Sequence, residues 1–326
     1  MPITIDTNTD RFFIAICKDG PHSFVMLGSY NGDKVTHLLC RVGKVAALPK
    51  KKDRSCFDVC SAIKDTIIDK APAKVRDEGT DDHDKAQKPI SYEAYDITLS
   101  QYIEFVRTLE LLQTEEKKYQ VYKPTKQDGS KVEFVKTSRV HYAPRNDLDR
   151  ADRCYCELSL GNTCRHGAIK LIESVIKLPQ QSMVSSYFFV NLLNNTQLDY
   201  GVPSKSIPFY VLPTPPNSYS ELNRAQRMVA DKLFSRMERL LLIDPYSSIT
   251  ASKFNHLKEL YQQIIGAERK PSINELLNNI HDWKRSHRPE IETLRKTYIW
   301  DSFFTRKSAT MTMIEELEQD LPQLNR

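Results

Sequence analysis

The sequence predicts an α+β fold in which an antiparallel β-sheet packs against helices and a helical domain follows. Three observations predict it. Apolar stretches of strand length occupy the first part of the chain, apolar residues at helical spacing recur from residue 98 onward, and a proline-rich stretch at 212–217 precedes a region with only helical patterns. With 326 residues, the chain is long enough for two domains.

The first predicted strands include a hairpin that carries two histidines. Residues 11–17 form a short apolar strand candidate, and residues 21–28 and 34–42 are predicted to pair across a turn at 29–33. His22 lies in the first strand of this hairpin and His37 in the second, so the sequence places both imidazoles on the sheet.

The register of this hairpin has two alternatives in the sequence. A turn centred on Asn31-Gly32 pairs His37 with Met26. A turn centred near Ser29-Tyr30, or one widened by a bulge, places His22 opposite His37 instead.

The next elements alternate between charged loops, helices and short strands. A helix is predicted to open at Thr98, with Tyr102, Phe105 and Val106 on its apolar face. Before it, the sequence predicts a basic loop at 49–54, a helix at about 56–69 and an exposed loop at 70–88. Strands are predicted at 92–97, 119–122 and 132–135. A further amphipathic helix is predicted to begin at Cys164 and to end before Pro179.

The predicted domain boundary is the proline-rich stretch, because consecutive prolines favour extended backbone and break helices and sheets. The chain is therefore expected to divide into an α+β domain at 1–212 and a helical domain at 217–326, with the linker at about 212–217. Capping-box spacings that begin at Ser218, Ser272 and Thr312 predict helix starts in the second domain.

Composition narrows the class of protein. The net charge of +5, from 47 basic and 42 acidic residues, lacks the dense basic stripe of a nucleic-acid binder, so no nucleic acid is expected as a partner. Seven cysteines at irregular spacings favour reduced thiols over a disulfide framework. The sequence shows no secretory signal at its start and no apolar run of about 20 residues, so a soluble protein is expected.

The chemistry-bearing residues of the sequence are Cys164, His22 and His37. A thiol at a helix N-terminus meets unpaired backbone N–H groups and the positive end of the helix dipole, which favour the thiolate. Imidazoles on a neighbouring sheet could hold and deprotonate that thiol. This pattern predicts a cysteine nucleophile, and a buried structural cysteine is the alternative.

The residues around these positions resemble the lecithin:retinol acyltransferase group, within the circularly permuted, NlpC-type branch of papain-like cysteine enzymes. The segments that carry the resemblance are His22–Gly28, Val35–Leu38 and Cys164–Ala168. It implies a permuted papain-like fold with Cys164 as nucleophile, His22 as general base and His37 as the residue that orients His22. His166 matches the second histidine of the motif, which has no base role. The family asparagine directly precedes the cysteine, whereas Thr163 stands there in this chain.

The activity that follows is a cysteine-dependent hydrolase or acyl transferase with a thioester intermediate and no cofactor. The segment Met313–Pro322 resembles the glutamate-rich C-terminal block of type IV-secreted bacterial effectors. That resemblance implies secretion into a host cytosol and a host protein or peptide as substrate. An amphipathic terminal helix is the alternative interpretation of the block.

The sequence also admits functions other than an enzyme. A catalytically silent scaffold could bind a host protein through exposed positions of its helical domain, such as Leu260, Tyr261, Trp283 and Trp300. The basic stretch at 284–288 would suit an acidic membrane surface, although a solvated helix face is favoured. A zinc site is disfavoured because the spacing of its four possible ligands, Cys56, Cys60, Cys154 and Cys156, does not match common zinc motifs. A cation site at Asp81–Asp84 is disfavoured because this acidic loop is expected to be exposed to solvent.

Overall fold

The structure is a computed structural model, and it divides the chain into two compact units, 1–209 and 210–326. The residues that it describes are 2–19, 22–46, 71–77, 90–112, 121–137, 155, 157–159, 161–176, 194–196, 198–199, 202–203, 208–267, 270–294 and 306–325. The predicted basic loop and following helix, the acidic loop at 81–84, Pro179 and Trp300 lie outside these residues, as do Cys56, Cys60, Cys154 and Cys156.

The first unit is mixed α/β and is built on an antiparallel sheet. Its described strands are β1 (Ile3–Asp6), β2 (Arg11–Asp19), β3 (His22–Asn31), β4 (Lys34–Ala46), β5 (Ala71–Asp77), β6 (Ile90–Ile97), β7 (Val121–Asp128), β8 (Lys131–Thr137), β9 (Glu157–Leu158), β10 (Asn194–Thr196), β11 (Leu198–Asp199) and β12 (Val202–Pro203). The main sheet runs in the order β10-β6-β2-β3-β4-β5-β9, and a second sheet has the order β1-β8-β7.

The β3–β4 hairpin has a register that neither sequence alternative describes. The turn is tight, with Asn31 paired to Lys34 and Gly32 at a φ of 58°. Two irregularities, at Leu27/Gly28 and at Ser29/Tyr30, shift the pairing so that His37 lies opposite Ser29. The sequence does not reveal these bulges by a break in alternation, because residues 23–30 of β3 are all buried and show no alternation.

The predicted exposed loop at 70–88 is wrong for its described part, since residues 71–77 form β5. This strand pairs with β4 on one side and with β9 on the other. Ala73 and Val75 are buried while Lys74 and Arg76 alternate with them. The charged residues therefore belong to the more exposed face of a strand rather than to a loop.

Two helices belong to the first unit, α1 (Leu99–Leu111) and α2 (Cys164–Ile176). The predicted start of α1 is confirmed, because Thr98 and Gln101 form a reciprocal capping box. The strand at 92–97 and the hairpin about Gly129 are also found where the sequence predicted them. The apolar face of α2 is buried, and the helix packs against β3 and β4.

The second unit contains strand β13 (Val211–Leu212), five α-helices and two short 3-10 helices (Pro216–Ser218 and Leu321–Asn325) among its described residues. The α-helices are α3 (Arg224–Ile243), α4 (Ser248–Ile265), α5 (Ile273–Ser286), α6 (Arg288–Glu292) and α7 (Ala309–Asp320). Of the three predicted capping boxes, Ser272 with Glu275 is confirmed at the start of α5. The other two are wrong: Asn223 caps α3 in place of Ser218, and Ser308 caps α7, which already contains Thr312.

The proline-rich stretch predicted as a linker is packed against helices of the second unit. The Nζ of Lys258 donates to the Val211 carbonyl at 2.7 Å, and the Tyr261 hydroxyl donates to the Thr214 carbonyl at 2.6 Å. Residues 211–213 are buried, so the extended backbone is part of this unit's core.

The predicted docking surface of the helical region is wrong at three of its four positions. Leu260, Tyr261 and Trp283 are all buried in the core of the second unit. The basic stretch at 284–288 is partly neutralised, because Lys284 pairs with Glu318 and Arg288 pairs with Glu292. Along the described parts of the chain, every helix is too short or too polar to cross a bilayer.

Candidate active site

The start of β3 and the start of α2 bring His22 and Cys164 together. The Ser23 backbone N–H donates to the Cys164 Sγ at 3.4 Å, across 141 positions of sequence. The His22 side chain forms a hydrogen bond with the same thiol. These two sequence-predicted residues therefore meet at one point, where the N-terminus of a helix abuts the first residues of a strand.

The surroundings of Cys164 favour its thiolate. Burial raises the pKa of the thiol, but the hydrogen bond from His22, the backbone hydrogen bonds from Ser23 and Arg165, and the charge of His22 together lower the pKa below its usual value. A lowered pKa at a cysteine that is only partly buried favours nucleophilic reactivity near neutral pH. Cys40 shows the opposite behaviour, because complete burial raises the pKa of its thiol.

The turn that leads into α2 is fixed by a buried lysine. Lys44 in β4 is 1% exposed, and its Nζ donates to both the backbone oxygen and the Oδ1 of Asn162, each at 2.8 Å. The Nδ2 of Asn162 in turn donates to the Glu157 carbonyl at 2.9 Å. Asn162 therefore anchors the backbone two residues before Cys164 and does not itself reach the thiol through these contacts.

Sequence reasoning missed Lys44. The only signal was a lysine within the otherwise apolar run Val42-Gly43-Lys44-Val45, at a position whose partners lie far along the chain. The helix approaches this lysine closely, because a Cβ added at Gly167 would lie 2.8 Å from the Lys44 Cδ. A glycine in the first turn of α2 thus makes room for the lysine stem beneath the helix.

Two further cations lie beside the thiol. Lys18 pairs directly with Ser23 across the β2–β3 ladder and is buried, and Arg165 follows Cys164 in the chain. Burial lowers the pKa of Lys18, the charge of Arg165 lowers it further, and the Cys164 thiolate raises it. Lys18 therefore lies close enough to interact electrostatically with both Arg165 and the Cys164 sulfur, and positive charge near a sulfur favours the thiolate.

His166 belongs to the helix start and not to the dyad. Its Nδ1 lies 3.2 Å from the Thr163 backbone nitrogen, which donates to it, and 3.0 Å from the Thr163 Oγ1. The imidazole thereby satisfies a backbone N–H that has no partner within the helix. Burial and the nearby charges of Arg165, Lys44 and Lys170 lower the pKa of His166, so it is neutral in this role.

The predicted orienting role of His37 does not agree with the structure. His37 pairs with Ser29, and positions 22 and 29 of β3 are separated by roughly 23 Å at about 3.3 Å per residue. The Nδ1 of His37 lies 3.3 Å from the Ser29 hydroxyl, in a polar group that also includes Thr36 and Asp10. The tight turn at Gly32 places the two histidines near opposite ends of the hairpin, so His37 cannot contact His22.

The position opposite His22 is taken by a carboxylate that sequence reasoning also missed. Asp19, the last residue of β2, pairs with His22 across the ladder. Side chains that lie directly opposite in an antiparallel pair have Cβ atoms about 4.5–5.5 Å apart. The available signal was the sequence Asp19-Gly20-Pro21-His22, in which a Gly-Pro dipeptide typical of turns separates an acidic residue from a histidine.

Comparison with protein-family models, with curated proteins and with solved structures finds no match for this chain.

Proposed function

We propose that this protein is a cysteine-dependent hydrolase or acyl transferase in which Cys164 is the nucleophile and His22 the general base. The observation that carries the proposal is the meeting of the Cys164 thiol with the His22 side chain and the Ser23 N–H at the start of α2. The order of a histidine strand before a nucleophile helix supports a permuted papain-like arrangement as part of this proposal.

The proposed reaction proceeds through a thioester. His22 accepts the thiol proton as the sulfur attacks an acyl carbon, and backbone N–H groups of the first turn of α2 donate to the oxyanion. The imidazolium then returns its proton to the leaving amine or alcohol, which departs as the carbonyl reforms. Water or an acceptor amine attacks the thioester and releases the thiol, so the residues are restored without a cofactor.

Asp19 replaces His37 in the proposed role of orienting residue. Its register position opposite His22 allows a carboxylate to accept a hydrogen bond from the imidazole nitrogen that faces away from the sulfur. The cations Lys18 and Arg165 beside the thiol favour acyl groups that carry negative charge nearby, such as those of an acidic peptide.

A protein or peptide in a host cell remains the proposed substrate, on the resemblance of the terminal block to secreted effectors. In the structure this block lies mainly in α7, whose apolar face is buried and whose Glu315 pairs with Lys307. The helical interpretation of the block therefore holds. Secretion stays a prediction, to be tested by fusing a translocation reporter to the chain with and without residues 309–326.

The first experiment is mass-spectrometric mapping of iodoacetamide labelling in the folded protein. Cys164 should label faster than Cys40 and Cys17, which are buried. His22→Ala should slow the labelling of Cys164 by about tenfold, because losing the hydrogen bond and charge of the imidazole raises the pKa of the thiol. His37→Ala is the matched control and should leave the rate unchanged. Equal labelling of Cys164 in the unmodified protein and in His22→Ala would overturn the dyad.

A further inference from the structure

A cluster of two histidines and one glutamate lies in the second unit, away from the sequence positions of the dyad. His256 lies in α4, His287 follows α5, and Glu290 lies in the first turn of α6. One ligand atom from each residue lies within 4.8 Å of the other two. The two imidazole rings stack with their centroids 4.0 Å apart, and both histidines are half-buried.

The backbone that carries these side chains is fixed by contacts in the core. The Trp283 Nε1–H donates to the His256 carbonyl at 3.1 Å, and the His287 N–H donates to the Trp283 carbonyl at 3.0 Å. The buried Lys253 donates to the carbonyl of Ile291 at 3.0 Å, which ties α6 to α4. Three separate elements therefore present their ligand atoms from anchored positions, as a binding site requires.

The chemistry of the three side chains suits a transition metal. Neutral imidazole nitrogen and carboxylate oxygen bind Zn²⁺ at about 2.0–2.2 Å, and three protein ligands leave one position for water. In a tetrahedral site such bond lengths put the ligand atoms about 3.3 Å apart, so small side-chain rotations would bring the three atoms from their present spacing to a common ion. Softer thiolate ligands are not involved, and the mixture of nitrogen with oxygen ligands disfavours Ca²⁺ and Mg²⁺.

We infer that His256, His287 and Glu290 form a zinc site that cross-links α4 to the junction of α5 and α6. Glu259, which lies one turn beyond His256 on α4, adds negative charge on the same side and favours a cation. Arg288, which lies between His287 and Glu290 at the start of α6, pairs with Glu292 and is thereby partly neutralised. The site is independent of the proposed catalytic function.

The test is a titration of the full chain with Zn²⁺ after treatment with EDTA, followed by calorimetry and thermal unfolding. The chain carrying Cys164→Ser is used as the background, which removes the reactive thiol as a competing ligand. One equivalent of Zn²⁺ should bind and raise the Tm, since a ligand that binds only the folded state stabilises it. His256→Ala and Glu290→Gln should each weaken the binding by about tenfold or more.

The matched control is His281→Ala, because His281 is an exposed histidine of α5 that pairs with Glu318. It should leave the affinity and the Tm shift unchanged. Co²⁺ gives a second readout that does not depend on folding: nitrogen and oxygen ligands produce d–d absorption without the near-ultraviolet band of thiolate coordination. An unchanged affinity in both His256→Ala and Glu290→Gln, or a thiolate band with Co²⁺, would overturn the site.

Discussion

Gly28 allows β3 and β4 to pair across their irregular stretch. A Cβ added there would overlap the His37 carbonyl oxygen and lie 2.7 Å from the Phe13 ring, at a point where the register already shifts. Both neighbours are held in place, the first by the ladder and the second by burial in the core. The requirement for glycine therefore comes from close packing and not from an unusual backbone angle.

We predict that Gly28→Ala lowers the free energy of unfolding by about 1–3 kcal/mol, the usual cost of inserting a methyl group into a packed core. Urea unfolding followed by circular dichroism measures the effect. Gly161→Ala is the control, because a Cβ at Gly161 would meet no atom within 4 Å. Equal stability of the two variants would show that β3 and β4 can separate at this point without cost.

The reactivity of Cys164 should depend on pH differently from that of an ordinary thiol. Because its pKa is lowered, the thiolate persists to lower pH, and the midpoint of the labelling rate should lie below that of a free cysteine. His22→Ala removes the hydrogen bond and charge that lower the pKa, while burial still raises it. The midpoint should therefore move upward in that variant, and a midpoint that stays in place would contradict the assigned role of His22.

Local sequence patterns predicted a strand that carries His22 and a helix that begins at Cys164, and the structure has both elements. They could not identify Lys44, whose partners depend on how β4 passes beneath α2. The role predicted for His37 required a turn near Ser29-Tyr30, whereas the chain turns at Gly32 and this moves His37 to the far end of the hairpin from His22. The two irregularities then set its final pairing with Ser29.

At the scale of elements, Lys44 connects β4 to the turn before α2. Replacing it with methionine keeps the apolar stem and removes the two hydrogen bonds to Asn162. We predict that Lys44→Met slows iodoacetamide labelling of Cys164 while the circular dichroism spectrum keeps its shape. The reason is that the turn before α2 is no longer held by Lys44, so the thiol is no longer held at a fixed distance from His22.

Lys44→Arg separates charge from geometry in this test. An arginine keeps the positive charge, but its larger planar head does not fit the site of the ammonium group. Slow labelling in both variants would assign the effect to geometry, and normal labelling in Lys44→Arg alone would assign it to charge. Normal labelling in both would show that the anchor does not position the thiol.

The elements themselves were predictable where apolar spacing was strong, as in α1 and α2, or where a turn dipeptide was present, as at Asp128-Gly129 of the β7–β8 hairpin. Strand β5 was missed because its exposed face carries Lys74 and Arg76 and its buried face only small or medium side chains. Such a strand depends on pairing with β4 and β9, and this information lies elsewhere in the chain.

At the scale of the whole molecule, the second unit should need residues 210–216 for its stability. These residues supply the carbonyl groups that accept hydrogen bonds from the buried Lys258 and from Tyr261. Without these residues, the buried ammonium group of Lys258 would lose the Val211 carbonyl as a hydrogen-bond acceptor. A buried charge that loses a hydrogen-bond partner destabilises the fold. We therefore expect a fragment that begins at the observed boundary, residue 210, to be more stable than one that begins after the proline-rich stretch.

Two fragments test this expectation. The fragment 210–326 should unfold cooperatively with a helical spectrum, and the fragment 217–326 should unfold at a temperature lower by about 5 °C or more. Thermal scans of the two fragments at equal concentration make the comparison. Equal Tm values would show that the proline-rich stretch contributes nothing to the unit that it covers.

Ser23 and Cys164 are 141 positions apart in the chain, and this separation determines how late in synthesis the site can form. During synthesis at about 5–20 residues per second, α2 follows β3 from the ribosome by roughly 7–30 s. The growing chain thus carries the histidine strand well before it carries the thiol. We expect a nascent or incomplete protein to be chemically inert, so that reactivity arises only after the last part of the first unit has been made and docked.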